Sequence, residues 1–296
     1  MRIRQNTAAA TRRHGPVVVC ATGVICCLIG IMLWMTQRAT APSGEGHARA
    51  TQPPLAKLPL TGKTVVVDPG HNPTNHLHIA ETERLVPGST RMTRCDDTGT
   101  ATRSGYAEAR FNLDVSRRIR DLLITQGARV RLTHDGDRPW GPCVDERARI
   151  PRDADADAVV SVHADGSLAP GARGFHIITP VSSGARRTVT TEVAASSRFL
   201  GEAIRTRYAE ATSTAPAGYV GDGSGLVARR DLVITNLSTT PTVLVECANM
   251  ANAEDALLLE NPAWRQRAAR GIAAGIAAFL ARQSQGDSVG KLATAP

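Results

Sequence analysis

The chain is 296 residues long, 42% hydrophobic and only 3% aromatic, with a formal net charge of +8. The hydrophobic share supports a sizeable aliphatic core, and the scarcity of aromatic rings argues against a stacked nucleic-acid platform. Residues 1–62 hold seven Lys/Arg against one Glu, whereas residues 63–296 hold 28 against 26, so the basic excess is N-terminal and no nucleic-acid partner is expected.

Residues 1–16 form a basic segment with Arg2, Arg4, Arg12 and Arg13. Residues 17–35, VVVCATGVICCLIGIMLWM, are an uncharged apolar run of nineteen. The run and its basic flank predict a membrane-spanning helix whose basic end stays in the cytoplasm. Its length favours an uncleaved anchor, with a cleavable signal ahead of Pro42 as the alternative. Residues 36–62 are rich in Ala, Pro, Gly, Thr and Ser and read as a flexible linker. Both readings place residues 63–296 outside the cytoplasm. There, disulfides persist. Cys95 and Cys143 lie in Gly/Pro/Asp-rich loop sequence and are the natural pair, whereas Cys247 lies in a Val-rich run and reads as a buried thiol.

In the exported part, residues 64–71 read TVVVDPGH. The valines predict a buried strand that Pro69-Gly70 ends, with His71 just past it. Residues 72–104 are a long polar stretch with little periodicity, a length that is uncommon unless functional. His76 and His78 within it are assigned to solvent. Residues 105–126 are predicted as a helix, because Glu108, Phe111, Val115, Ile119 and Leu122 recur at spacings of 3, 4, 4 and 3. Gly127 ends it. Glu108 heads an apolar stripe: it is either a first-turn acid favoured by the helix dipole or a carboxylate with a buried partner.

Residues 128–133 alternate as a strand, and 144–152 suggest a short helix. Residues 158–163, AVVSVH, repeat the first pattern, a valine strand ending in His163. Parallel buried strands place His71 and His163 on one sheet edge. Residues 174–179 are a further strand, with His176 on one of its faces. Residues 190–210 are helical, with Val193, Phe199, Leu200 and Ile204 as the apolar positions. Gly221–Gly225 lacks the surroundings of a phosphate cradle. Residues 242–246, TVLVE, end an apolar strand on Glu246. A last helix spans 262–281, followed by a polar, loose tail over 283–296.

Two strand-end histidines and a helix-start glutamate make a three-ligand metal site, and a His-Glu-His set with an open position is a known catalytic zinc arrangement. With these residues in view, the exported part resembles the zinc N-acetylmuramoyl-L-alanine amidases of the amidase 3 family, in their compact single-domain form. The motifs are VVVDPGH at 65–71, GYAEARFNLDVSRRIRDLL at 105–123, VVSVHADG at 159–166 and TVLVECANMANAEDALLL at 242–259, with a CVDERA segment at 143–148.

The resemblance implies an α/β fold, with a mixed, mostly parallel twisted sheet flanked by helices on both faces, in one catalytic domain over 63–282. It implies that His71, Glu108 and His163 bind zinc, and that Glu246 is the catalytic carboxylate. The implied reaction cuts the amide between N-acetylmuramic acid and L-alanine in peptidoglycan, for cell-wall remodelling or turnover. The expected partners are peptidoglycan or a muropeptide as substrate and the membrane through the N-terminal helix, and a monomer is expected. The alternatives are a zinc peptidase acting within the stem peptide and a non-catalytic peptidoglycan-binding module. Retention of all four site residues counts against the second.

Overall fold

The computed structural model describes residues 57–182 and 189–293, with side chains of the last helix through 284. The expected basic segment 1–16, the apolar run 17–35 and residues 36–56 of the linker lie outside the described residues. Among the described residues, no helix is long and apolar enough to cross a membrane.

Val-rich runs need both faces covered, and they build the middle of a six-stranded sheet. Its strands are β1 (Thr64–Pro69), β4 (Arg129–Leu132), β5 (Ala158–Asp165), β6 (His176–Pro180), β7 (Leu226–Arg229) and β8 (Thr242–Asn249). The spatial order is β4-β1-β5-β8-β6-β7. The first four in that order run parallel, β6 is antiparallel to β8, and β7 is parallel to β6. The sheet is therefore mixed and mostly parallel.

Helices cover both faces. On one face, α2 (Glu108–Ile124), α4 (Thr191–Thr212) and α7 (Pro262–Ala293) pack on Val65, Val67, Val160, Val162, Val243 and Val245. Full burial of a valine contributes about 1.5–3 kcal/mol, so this face carries most of the apolar stabilisation. On the other face, Ile150 of α3 (Val144–Asp153) meets Val66 and Val159. Ile234 of the short α5 (Val233–Asn236) meets Ile178 and Leu244. Helix α6 (Ala253–Glu260) leads into α7.

Four expectations need correction. The buried stripe of α2 is Glu108, Phe111, Val115, Ile119 and Leu123, while Leu122 is only partly buried; the stripe follows the i+4 row to its end. Phe199 is 53% exposed, with the Arg282 guanidinium 5.8 Å from its ring centre. The last helix does not stop before 283 but continues to Ala293, because no proline interrupts it. The stretch 72–104 is not structureless: it holds a 3₁₀ turn at Asn75–Leu77, α1 (Ile79–Thr82) and a hairpin of β2 (Leu85–Pro87) and β3 (Met92–Arg94). These elements are too short to leave a periodic trace. The Cys95–Cys143 disulfide ties the end of this hairpin to the start of α3, and Cys247 is a buried free thiol.

Candidate metal centre

The strand register brings the chemistry together. Pro69 of β1 pairs with Val162 of β5, and His163 of β5 pairs with Glu246 of β8. His71, His163 and Glu246 thus share the edge formed by the C-terminal ends of parallel strands, where open α/β sheets bind ligands. Glu108 joins them as the first residue of α2, whose apolar stripe docks it against β1 and β5. Gly70 is required at the closest approach, since a Cβ there would run into the His163 ring.

His71 Nε2 lies 3.3 Å from Glu108 Oε1, and His163 Nδ1 lies 2.9 Å from the same oxygen. The three side chains offer ligand atoms all within 4.8 Å of one another. Ligand atoms around a tetrahedral zinc stand roughly 3.3 Å apart, so the spacing fits. The chemistry fits as well, because the two imidazole nitrogens that meet the Glu108 oxygen as N–H groups would become lone-pair donors once a metal displaced their protons, giving a two-nitrogen, one-oxygen set. Glu108 is fixed from behind: Asn112 Nδ2 (3.2 Å) and the Ala164 N–H (3.3 Å) donate to Oε1, and the Thr100 N–H (2.9 Å) donates to Oε2. Burial works against the Glu108 charge, but His71 and His163 outweigh it and hold the carboxyl well below its usual range. For His71, burial opposes protonation, yet Glu108, Asp96 and Asp97 raise its pKa well above the ordinary value.

Glu246 stands beside the cluster. Its Oε2 is buried with no hydrogen-bond partner. Burial, with Glu108 and Asp165 nearby, raises its pKa well above the carboxylate range. A dication at the cluster would oppose that rise. A cleft of about 490 Å³ opens here, lined by His71, Glu108, His163, Asp165, Arg229 and Glu246. An adjoining lobe of about 300 Å³ shares His71, His163 and Leu232. A larger cavity of about 700 Å³, beside Arg173 and Tyr219, contains none of the four residues. His76 and His78 stay out of the cluster, His76 at the surface and His78 3.4 Å from Glu81. His176 is buried on β6 and pairs in register with Glu246.

Three residues that sequence reasoning missed shape the site. Arg147 of α3 is 3% exposed, and its guanidinium donates to Asp68 Oδ1 (2.8 Å), Asp96 Oδ2 (2.9 Å), Pro69 O (2.6 Å) and His71 O (3.0 Å). It pins the backbone where His71 takes a φ of 59°, a left-handed conformation that histidine rarely adopts. Asp96 and Asp97 approach His71 Nδ1, at 3.4 and 2.9 Å. An arginine inside an otherwise apolar helix face, and paired aspartates next to a cysteine, were the available signals.

Fold and site together define a hydrolase built around a candidate metal centre. Residues 65–278 match the family model described as N-acetylmuramoyl-L-alanine amidase. Over 226 residues the chain is 37% identical to an N-acetylmuramoyl-L-alanine amidase of Mycobacterium tuberculosis, covering 76% of this chain and 90% of that protein. The crystal structure of the amidase Ami1 of Mycobacterium smegmatis aligns with a TM-score of 0.69 at 37% identity, covering 76% of this chain and 99% of that one. The apo form of Ami1 from Mycobacterium abscessus gives 0.67 at 37% identity, covering 75% and 100%. The chain belongs to the amidase 3 family of N-acetylmuramoyl-L-alanine amidases.

Proposed function

We propose that the protein hydrolyses the amide joining N-acetylmuramic acid to the L-alanine of the stem peptide in peptidoglycan, with zinc held by His71, Glu108 and His163. The observation that carries this reading is the convergence of those three side chains within 4.8 Å beside the unpartnered Glu246 Oε2. When bound, zinc supplies Lewis acidity that polarises the amide carbonyl and acidifies water. Glu246 takes the proton of the attacking water and returns it to the departing alanine nitrogen, first as general base and then as general acid. Asn112 and the Thr100 and Ala164 amides keep Glu108 in place while this happens, and the cleft walls orient the substrate.

Such a substrate lies in the cell envelope, so the domain acts outside the cytoplasm. Residues 17–35 would anchor it to the membrane or be removed on export. A monomer suffices, because all four residues come from one chain.

The full chain, incubated with a muropeptide with and without a zinc chelator, tests the reading by product mass. Release of the intact N-acetylmuramic acid moiety and an intact peptide beginning at L-alanine, abolished by chelator and by Glu246→Gln, is the expected result. Cuts within the peptide would make it a stem-peptide peptidase. Zinc binding without any cut would make it a binding module.

A further inference from the structure

His71 meets carboxylates from both sides. Its Nε2 faces Glu108 in the cluster, while its Nδ1 lies 2.9 Å from Asp97 Oδ1 and 3.4 Å from Asp96 Oδ1. An imidazole that offers the Nε2 lone pair to a metal carries its proton on Nδ1. That proton is buried without an aligned hydrogen bond, and the nearest acceptors are the Asp97 and Asp96 carboxylates, so a small turn of the ring or of the Asp97 side chain on metal binding closes the contact. A metal-bound histidine whose other N–H meets a carboxylate is held in one tautomer and one ring orientation, and is a stronger ligand for it.

Both aspartates are themselves fixed. Asp97 Oδ1 accepts from the Gly99 N–H (2.8 Å), and its carbonyl accepts from Asn75 Nδ2 (2.7 Å). Asp96 Oδ1 accepts from the Asp97 N–H (2.8 Å), and its Oδ2 is paired with Arg147. The disulfide at Cys95 and the bond from the Val144 N–H to Cys95 O (2.7 Å) anchor the segment just ahead of them. Gly99 lets it close in, since a Cβ there would lie 2.7 Å from Glu108 Oε2.

We propose that Asp97, backed by Asp96, is the positioning carboxylate of His71, so that residues 95–99 form the outer support of the metal centre. This rests on the zinc reading above. His71, Asp96 and Asp97 could also gather around an ion of their own. The Arg147 cation already bonded to Asp96 disfavours a second dication there, and His71 would need to lose both ring protons to serve two metals. The segment is therefore a support for one site and not a second site.

The test is zinc affinity and stoichiometry of the full chain, by competition with a chromophoric chelator, for wild type, Asp97→Ala and Asp97→Asn. The thermal midpoint of each metal-free protein is measured alongside. Asp97 is 65% exposed at its side chain, so both variants should fold without metal, with at most a small drop in the metal-free midpoint from the lost His71 and Gly99 contacts. One zinc per wild-type chain is expected, with affinity about 10–100-fold weaker in Asp97→Ala. Asp97→Asn, which keeps an acceptor oxygen, should fall between. Equal affinities in all three proteins would overturn the proposal while leaving the zinc reading intact. Two zinc equivalents in wild type, one of them lost in Asp97→Ala, would overturn it by making Asp97 a ligand. No zinc in wild type would overturn both readings.

Discussion

The two faces of the sheet are built from the same strands and do different work. Along β1, Val65 and Val67 face α2, while Val66 and Asp68 face α3. Along β5 and β8, Val160, Val162, Val243 and Val245 face the long helices, while His163 and Glu246 line the cleft. The period of two in a strand separates stability from chemistry residue by residue. The long-helix face is apolar apart from a few neutral groups, of which Ser116 Oγ and Trp264 Nε1 lie buried without a partner, and the cleft face gathers charges that only partners or a metal can hold. Glu108 joins the two, being the end of an apolar helix stripe and a member of the cluster.

Substitutions on the two faces should therefore separate. The largest expected effect is on the cleft face: Glu246→Gln should slow amide release by at least ~10²–10⁴-fold. Removing a buried charge that Glu108 and Asp165 repel should leave its thermal midpoint unchanged or higher. A variant that unfolds instead would mean that the two faces are not separable. Next is Arg147→Met. It leaves Asp68 and Asp96 buried without their cation and should cost about 3–5 kcal/mol in denaturant titration. It should also weaken zinc binding, because the His71 backbone loses its clamp. On the long-helix face, Leu200→Ala should cost about 2–5 kcal/mol with zinc affinity unchanged. A change in affinity there would show that packing and site are coupled through the sheet.

Much of this division is legible in the sequence. Valine runs that end in His71, His163 and Glu246 announce both the parallel strands and the edge they share. The position of Glu108 at the head of an apolar stripe marks where the helix must dock. The hidden part lies in residues whose meaning is set by distant partners. Arg147 is out of place on an apolar helix face, but its role stays hidden until Asp68 and Asp96, 79 and 51 positions away in sequence, close on it. Asp97 sits in a loop with no period at all, and only the tertiary path of residues 95–99 brings it to His71. Phe199 misled in the opposite direction: it is as apolar as Leu200 and Ile204, but it falls at the rim of the α4–α7 contact, where Arg282 of α7 meets its ring and half of it stays exposed.

The smallest expected effect tests whether the cleft face stabilises at all. Asp68 is buried, which opposes its charge, but Arg147, Ser161 and Thr133 outweigh burial and lower its pKa. The unfolded chain binds a proton at this aspartate at about pH 3.9. Because the folded value is lower, ionised Asp68 contributes stability that is fully present above that pH. The contribution is lost as pH falls towards and through the folded value. Each tenfold difference in proton affinity is about 1.4 kcal/mol. Denaturant midpoints measured from pH 6 down to pH 3 should therefore fall in wild type. In Asp68→Asn they should start lower at pH 6, because Arg147 loses a charged partner, and decline less steeply. Parallel slopes in the two proteins would show that the acid sensitivity arises elsewhere. The Arg147 network would then act only to hold the His71 backbone.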